Sequence, residues 1–186
     1  MIKRILIVSI VSVLFAWFTF DILLKKPTNF EDANKELLEL ETELQKIVNF
    51  FNELPYDYVD VSDTTGYGLC GVIEKDKTTG VEKFKTILIK NNDISKTLSV
   101  LFNKKRWDHV VKDDGIVEFQ IGSNIGNNSN GLIFSSTKNP EQIKEIQFIA
   151  KCIPLELKGW FYYETDVEIW KKLHGCSLSR PDICLS

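Results

Sequence analysis

A glycine-rich run carries the most familiar chemical motif in this chain. The residues from Gly66 to Gly71, Gly-Tyr-Gly-Leu-Cys-Gly, match the pattern G-x-G-x-x-G. In a dinucleotide site that pattern opens a helix whose N-terminus faces pyrophosphate, whereas the residues that follow here are typical of a strand. A kinase glycine-rich loop is also excluded, because no H-R-D or D-F-G sequence follows Lys90. We therefore predict a hairpin at this point and no bound cofactor.

Histidine and cysteine are the next candidates for chemistry. The two histidines, His109 and His174, are separated by two predicted elements, so a metal site would need ligands from scattered positions. Cys70 lacks the local signature of a catalytic thiol, and an exported thiol tends to be oxidised. We predict neither a metal site nor a catalytic residue.

Carboxylate pairs are also present, at Asp113 with Asp114 and at Asp57 with Asp60. Each pair lies where turn formation or a solvated face explains it. An enzyme built on this chain would instead need a deep pocket that encloses His109 or Cys70 beside a carboxylate. That arrangement is the structural feature that would favour catalysis over binding.

The chain has four cysteines, and none of them forms a C-x-x-C motif. An even number without metal-ligand spacing fits an oxidising compartment. Cys176 and Cys184 flank a short Pro-containing segment near the C-terminus, so we predict a disulfide there. It would contribute about 2–3 kcal/mol by closing the loop. Cys70 and Cys152 would then form the remaining pair.

Residues 5–24 are far more apolar than any other segment of the chain. Their 20 residues, at about 1.5 Å each, match the roughly 30 Å of a bilayer core. No small-x-small cleavage site follows the bulky residues around Ala16, which favours an uncleaved anchor. We expect residues 1–26 to span the cell membrane. The basic residues on the two sides of this segment are nearly equal in number, so charge alone does not set its orientation. The cysteines favour an oxidising compartment, and we therefore expect residues 27–186 to lie outside the cytoplasm.

Helical periodicity appears at several places in the remaining chain. Apolar residues at spacings of three and four predict amphipathic helices over 30–54 and 94–105. A third helix is expected from Asn139, which would cap it, through Pro140 in the first helical position to about Cys152. A last short amphipathic turn follows near the C-terminus.

Strand signals alternate with these helices. We predict strands over 56–61, 69–74 and 83–90, further strands within 107–136, and an aromatic central strand over 160–163. The class is therefore α+β: a single domain with an antiparallel sheet packed against about three helices and preceded by the transmembrane helix.

The run from Gly122 to Gly131, between two of these strands, consists almost entirely of Gly, Asn and Ser. We predict a long polar loop there, and such loops on a rigid sheet commonly display binding groups. The candidate partner-binding residues are Gly122, Ser123, Asn124, Asn127, Asn128 and Asn130.

Charge indicates the kind of partner. Without residues 1–26 the chain keeps 19 basic and 25 acidic residues, a net charge of −6. That balance argues against nucleic-acid binding and favours a basic protein partner.

These observations favour a membrane-tethered binding module of the bacterial cell envelope. In its size, its acidity and its lack of a catalytic motif the chain resembles immunity proteins. That resemblance implies inhibition of a secreted toxin. One alternative is an envelope enzyme with a nonstandard active site. Another is a pilin-like subunit, because an anchor, helix, sheet and C-terminal disulfide loop resemble type IV pilins and pseudopilins. The pilin peptidase motif is missing, since no glycine precedes Gly66.

Overall fold

A computed structural model of the chain describes residues 29–62, 68–75, 80–123, 128–143 and 146–173. The apolar segment 5–24 lies outside these residues. Among the helices that the structure describes, none is both long enough and apolar enough to cross a bilayer.

The described residues form three α-helices, one 3₁₀ turn and eight strands. In chain order they are α1 (Phe30–Glu53), β1 (Tyr58–Ser62), β2 (Leu69–Lys75), β3 (Glu82–Leu88), α2 (Asn92–Asn103), β4 (His109–Asp113), β5 (Ile116–Ser123), β6 (Ser129–Phe134), the 3₁₀ turn (Pro140–Gln142), β7 (Ile149–Pro154), β8 (Trp160–Thr165) and α3 (Val167–Leu173).

The strands form one antiparallel sheet in the order β3-β2-β1-β4-β5-β6-β8-β7. The predicted α+β class, with an antiparallel sheet and three helices, is confirmed. Strands that are neighbours in the sheet are also consecutive in the chain, except in the pairs β1·β4 and β6·β8. The sheet is therefore largely a series of hairpins.

Helix α1 begins and ends at clear sequence signals. The side chain of Asn29 accepts a hydrogen bond from the N–H of Asp32 at 2.9 Å, which caps the first turn. The helix ends just before Pro55. At that end the ammonium of Lys112 on β4 donates to the carbonyl oxygens of Phe51 and Leu54, at 3.0 and 3.3 Å. This contact satisfies terminal carbonyls and fixes the helix to the sheet.

Helices α1 and α2 cover one face of the sheet, and the main hydrophobic core lies between them and the strands. Aromatic rings extend the core along the sheet, with Phe119 6.0 Å from Trp107 and 5.7 Å from Trp160 between ring centroids. The buried core residues include Leu37, Leu44, Ile47, Phe51, Val59, Val72, Leu98, Val110, Phe119, Leu132 and Tyr162.

The opposite face carries a second, smaller cluster over β5, β6 and β8. Its buried members are Ile116, Ile133, Ile143, Phe161 and Tyr163. Ile143 comes from the segment after the 3₁₀ turn, which therefore packs over this part of the sheet.

The predicted helix from Asn139 to Cys152 is wrong. Its capping signal is present, since Gln142 reaches back to accept from the N–H of Asn139 at 3.0 Å, but the turn stops at Gln142. Ile146 and Ile149 pack against the second cluster instead of lining a helix. The following backbone pairs with β8 as strand β7. Sheet pairing and burial here outweigh a local helix-start signal.

The predicted polar loop is shorter than its composition suggested. Gly122 and Ser123 belong to β5, which carries an irregularity between Gln120 and Gly122, and Asn130 belongs to β6 and is buried. Asn124 and Asn127 lie outside the described residues.

Cys70 and Cys152 are both free. They lie on β2 and β7, six positions apart in the sheet order, which corresponds to nearly 30 Å at about 4.8 Å per strand. A disulfide needs Cα atoms within about 7 Å of each other. The expected Cys70–Cys152 bond is therefore not formed, and Cys176 and Cys184 lie outside the described residues.

Candidate functional site

We use the term exposed face for the side of strands β3, β2, β1 and β4 that points away from α1 and α2. Strand alternation assigns its side chains, since Val59 and Val61 are buried against the helices and the residues between them point the other way. Tyr58 and Asp60 therefore lie on the exposed face. His109 joins them because it pairs with Ser62 in the β1–β4 ladder.

His109 and Asp60 form a close pair on this face. Nε2 of His109 lies 2.6 Å from Oδ1 of Asp60, with the two side chains 32% and 22% exposed. Burial lowers the pKa of His109, but the hydrogen bond and charge of Asp60, with the charges of Glu118 and Asp108, outweigh it. The net pKa is raised, which favours the protonated imidazolium.

A second pair lies at the border of the exposed face. The hydroxyl of Tyr163 on β8 donates a hydrogen bond to the carboxylate of Glu118 on β5. Strand β6 runs between them and contributes Gly131, which pairs with Tyr163 in the ladder. Burial raises the pKa of Glu118, and the charge of Asp113 adds to the rise, while Tyr163 and His109 partly offset it.

Three carboxylates lie close together on the exposed face and at its border, with His109 beside them. Asp60, Asp113 and Glu118 come from three neighbouring strands, and we call them the acidic cluster. The pKa of Tyr58 is raised by burial and then by the charges of all three carboxylates. The charges that disfavour the phenolate form of Tyr58 favour a positively charged group beside it, as they favour the protonated form of His109.

Apolar side chains continue the exposed face on β2 and β3. Leu69, Phe84 and Leu88 are 40%, 65% and 62% exposed, and we call them the apolar strip. Leu69 and Leu88 are direct partners in the β2–β3 ladder. The Phe84 ring covers Gly71, where an added Cβ would lie 2.5 Å from the ring. The strip is therefore a contiguous apolar surface beside the acidic cluster.

The described residues offer less support for a catalytic or metal site than for a binding surface. No group of three His, Cys, Asp or Glu side chains there could hold a metal ion. Cys70 is buried on the helix side of the sheet, and burial followed by the charge of Asp60 raises its pKa to about 11. A thiol with that pKa is almost fully protonated at neutral pH and is a poor nucleophile.

Two cavities on the described part of the chain have neither His109 nor Cys70 in their walls. The larger, about 660 Å³, lies between the segment after the 3₁₀ turn and α3, with Phe148 and Trp170 in its wall. The smaller, about 310 Å³, lies where α1 begins, beside β6, β7 and β8. We call the smaller one the polar cavity.

Comparison of the chain with family models, with curated proteins and with solved structures finds no match.

The structure separates the residues that the sequence singled out. Asn128 and Asn130 line the polar cavity, whereas Gly122 and Ser123 lie in β5. Asn128 also has a structural role, since its side-chain oxygen accepts from the N–H of Val167 at 3.3 Å.

Sequence reasoning missed the pairs His109–Asp60 and Glu118–Tyr163 and the apolar strip. The alternation of side chains along a strand could have predicted which face of its own strand each of these residues occupies. Alternation could not predict which strands are neighbours in the sheet.

Proposed function

We propose that this chain is a membrane-tethered, extracytoplasmic binding module of the bacterial cell envelope that binds a basic protein through its exposed face. The observation that carries the proposal is the apolar strip lying directly beside the acidic cluster. Protein interfaces commonly combine an apolar centre with surrounding polar groups. The apolar strip would supply the desolvated contact, and the acidic cluster would select the charge of the partner.

Two further observations support this reading. The domain without residues 1–26 has a net charge of −6, so long-range attraction would steer a basic partner toward it. In addition, β3 is the edge strand of the sheet and bears both Phe84 and Leu88. An exposed apolar edge invites association with another protein.

The specific form that we propose is an immunity-type inhibitor, which would hold a secreted toxin at the envelope and block its action. The anchor would keep the inhibitor at the surface where such a toxin arrives. Neither the anchor nor the inhibition requires a catalytic group on the module itself. The reading frames beside the gene give a simple check, because a toxin gene there supports inhibition.

The test is capture from the native envelope. The full-length chain, solubilised in detergent, is used as bait beside a Phe84→Ser, Leu88→Ser double variant. We expect the wild type to retain one basic protein whose association slows as salt rises from 0.05 to about 0.5 M, because screening weakens electrostatic steering. The double variant is expected to lose at least 90% of the capture.

The matched control is Leu38→Ser, since Leu38 is similarly exposed at 47% but lies on α1, on the other side of the sheet. This variant should capture the partner as well as the wild type does. Equal capture by the wild type and a folded double variant would contradict the proposal, as would a captured partner that is acidic.

One observation favours a second candidate, an envelope enzyme. The imidazole of His109 within 2.6 Å of Asp60 is a geometry that general bases use. If the chain is an enzyme of this kind, His109→Asn should abolish hydrolysis of chromogenic p-nitrophenyl esters or glycosides by the purified chain. Hydrolysis that is absent from the wild type, or unchanged in the variant, argues against this candidate.

A further inference from the structure

The polar cavity lies at the far end of the sheet from the apolar strip, beside β6, β8 and β7 instead of β2 and β3. It is therefore a site separate from the exposed face. Its volume of about 310 Å³ is at the lower end of the range for small-molecule sites, which suits a ligand of one or two rings. The side chains that supply hydrogen-bonding groups include Asn128, Ser129, Asn130, Glu164, Thr165 and Asp166.

Neutral polar side chains supply most of the hydrogen-bonding groups of this cavity, although the larger part of its surface is apolar. Amide side chains each offer donors and an acceptor, and hydroxyls offer both. Asn128 can therefore meet a ligand through its NH₂, since its oxygen accepts from the N–H of Val167, and Ser129 can meet one through its hydroxyl. The Thr165 hydroxyl already donates to the carbonyl oxygen of Ser129 at 3.2 Å. Asn130 and Thr165 are only 2% and 6% exposed, which holds them in fixed positions. The N–H of Ser129 donates to Oγ1 of Thr165 at 2.6 Å, which orients that hydroxyl.

The two carboxylates of the cavity already have partners. Oε1 of Glu164 lies 3.1 Å from the ammonium of Lys151. Oδ1 of Asp166 accepts from the N–H of Ile169 at 2.9 Å, which caps the start of α3. Lys151 neutralises Glu164 and a backbone N–H meets Asp166, so neither carboxylate depends on a cationic ligand for a partner. Each carboxylate still has acceptor capacity for a hydroxyl.

Ala150, the Tyr162 ring and Ile169 supply apolar surface to the wall. Ile169 is 46% exposed at the rim and offers a surface for C–H groups. We infer that the polar cavity binds a neutral, polyhydroxylated ligand, a saccharide unit, through its amides, hydroxyls and carboxylates. Sugar hydroxyls both donate and accept hydrogen bonds, while a sugar ring presents C–H groups to an apolar wall. The mixture of lining groups matches that chemistry.

The test is titration of the full-length chain, in a detergent without a sugar headgroup, with glucose, galactose, N-acetylglucosamine and chitobiose. Saturation-transfer NMR and calorimetry detect the binding, and L-arginine is titrated in parallel as a cationic probe. We expect saturable binding of at least one saccharide and none of arginine.

Two variants locate the site. Ala150 lines the cavity, so Ala150→Phe should fill it and weaken saccharide binding by more than tenfold. Glu164→Gln keeps the shape and removes an anionic acceptor, so it should weaken binding about three- to tenfold. The matched control is Glu168→Gln, an exposed residue of α3 outside the cavity wall, which should bind like the wild type.

The inference is overturned if no neutral saccharide binds saturably, or if arginine binds more tightly than the saccharides. Undiminished binding by the folded Glu164→Gln and Ala150→Phe variants would also overturn it. If Ala150→Phe does not fold, Glu164→Gln against Glu168→Gln decides the matter.

Discussion

The hydroxyl of Tyr163 donates a hydrogen bond to the carboxylate of Glu118 across an intervening strand. Tyr163 is fully buried, and burial dominates the raised pKa of Glu118. A buried carboxylate is costly without a donor, so this hydrogen bond links the polar groups of the exposed face to the second hydrophobic cluster.

Removing the Tyr163 hydroxyl should destabilise the fold. Tyr163→Phe keeps the ring but leaves the partly buried carboxylate of Glu118 without this donor, which costs about 1–3 kcal/mol of unfolding free energy. Urea denaturation followed by circular dichroism measures the change. Tyr58→Phe is the control, because Tyr58 is only partly buried, and it should change stability by less than about 0.5 kcal/mol. Equal losses in both variants would contradict this account of Tyr163.

Gly131 allows the close approach of the strands on either side. A Cβ at this position would lie 2.1 Å from the carbonyl oxygen of Phe119 and 3.0 Å from the Tyr163 ring. Gly131→Ala should therefore lower the unfolding free energy by about 2–4 kcal/mol, because backbone atoms would have to move. Gly68→Ala is the matched control, since a Cβ there meets no atom within 4 Å. A Gly131→Ala protein as stable as Gly68→Ala in thermal melts would refute the packing described.

The His109–Asp60 pair should make stability depend on pH. Because the net pKa of His109 is raised above its ordinary 6.5, its stabilising contribution is fully present below pH 6.5 and is lost as pH rises through the folded-state pKa. We expect a loss on the order of 0.5–1 kcal/mol, reduced by solvent at the partly exposed side chain. Denaturation of the wild type and of His109→Asn at pH 5.5 to 8.5 measures it. Parallel pH profiles for the two proteins would show that the pair does not titrate in this way.

Several elements of the fold follow from the sequence because their signals are local. The spacing of apolar residues and the Asn29 cap define α1, and the turn at Asp114 and Gly115, both with positive φ, defines the β4–β5 hairpin. The segment that follows Asn139 shows the limit. A valid helix-start motif and isoleucines at helical spacing occur there, yet the isoleucines pack on the sheet and the backbone forms β7.

The candidate site was harder to predict for a related reason. Asp60 and His109 belong to strands separated along the chain by a hairpin and a helix, so only the β1–β4 pairing brings them together. Glu118 and Tyr163 meet across a third strand. Long-range strand order of this kind has no signature in local periodicity.

The thiols test the proposed export. In native cells, mass spectrometry without reduction should find Cys176 linked to Cys184, with Cys70 and Cys152 unlinked to each other. Burial raises the pKa of both Cys70 and Cys152 to about 11, so both should react slowly with iodoacetamide until the chain is unfolded. A reporter enzyme that is active only outside the cytoplasm should be active when it is fused after Ser186. Four free thiols together with an inactive external reporter would place the domain in the cytoplasm.

Site-specific photocrosslinking in living cells tests the central claim, partner binding at the exposed face, most directly. A photoreactive amino acid replaces Thr86, which is exposed on β3 between the two aligned strip residues Phe84 and Leu88, and in a second strain it replaces Leu38 on α1. The account predicts an adduct with a basic protein from position 86 and none with that protein from position 38. The same adduct from both positions, an adduct from position 38 alone, or no adduct from position 86 would contradict it.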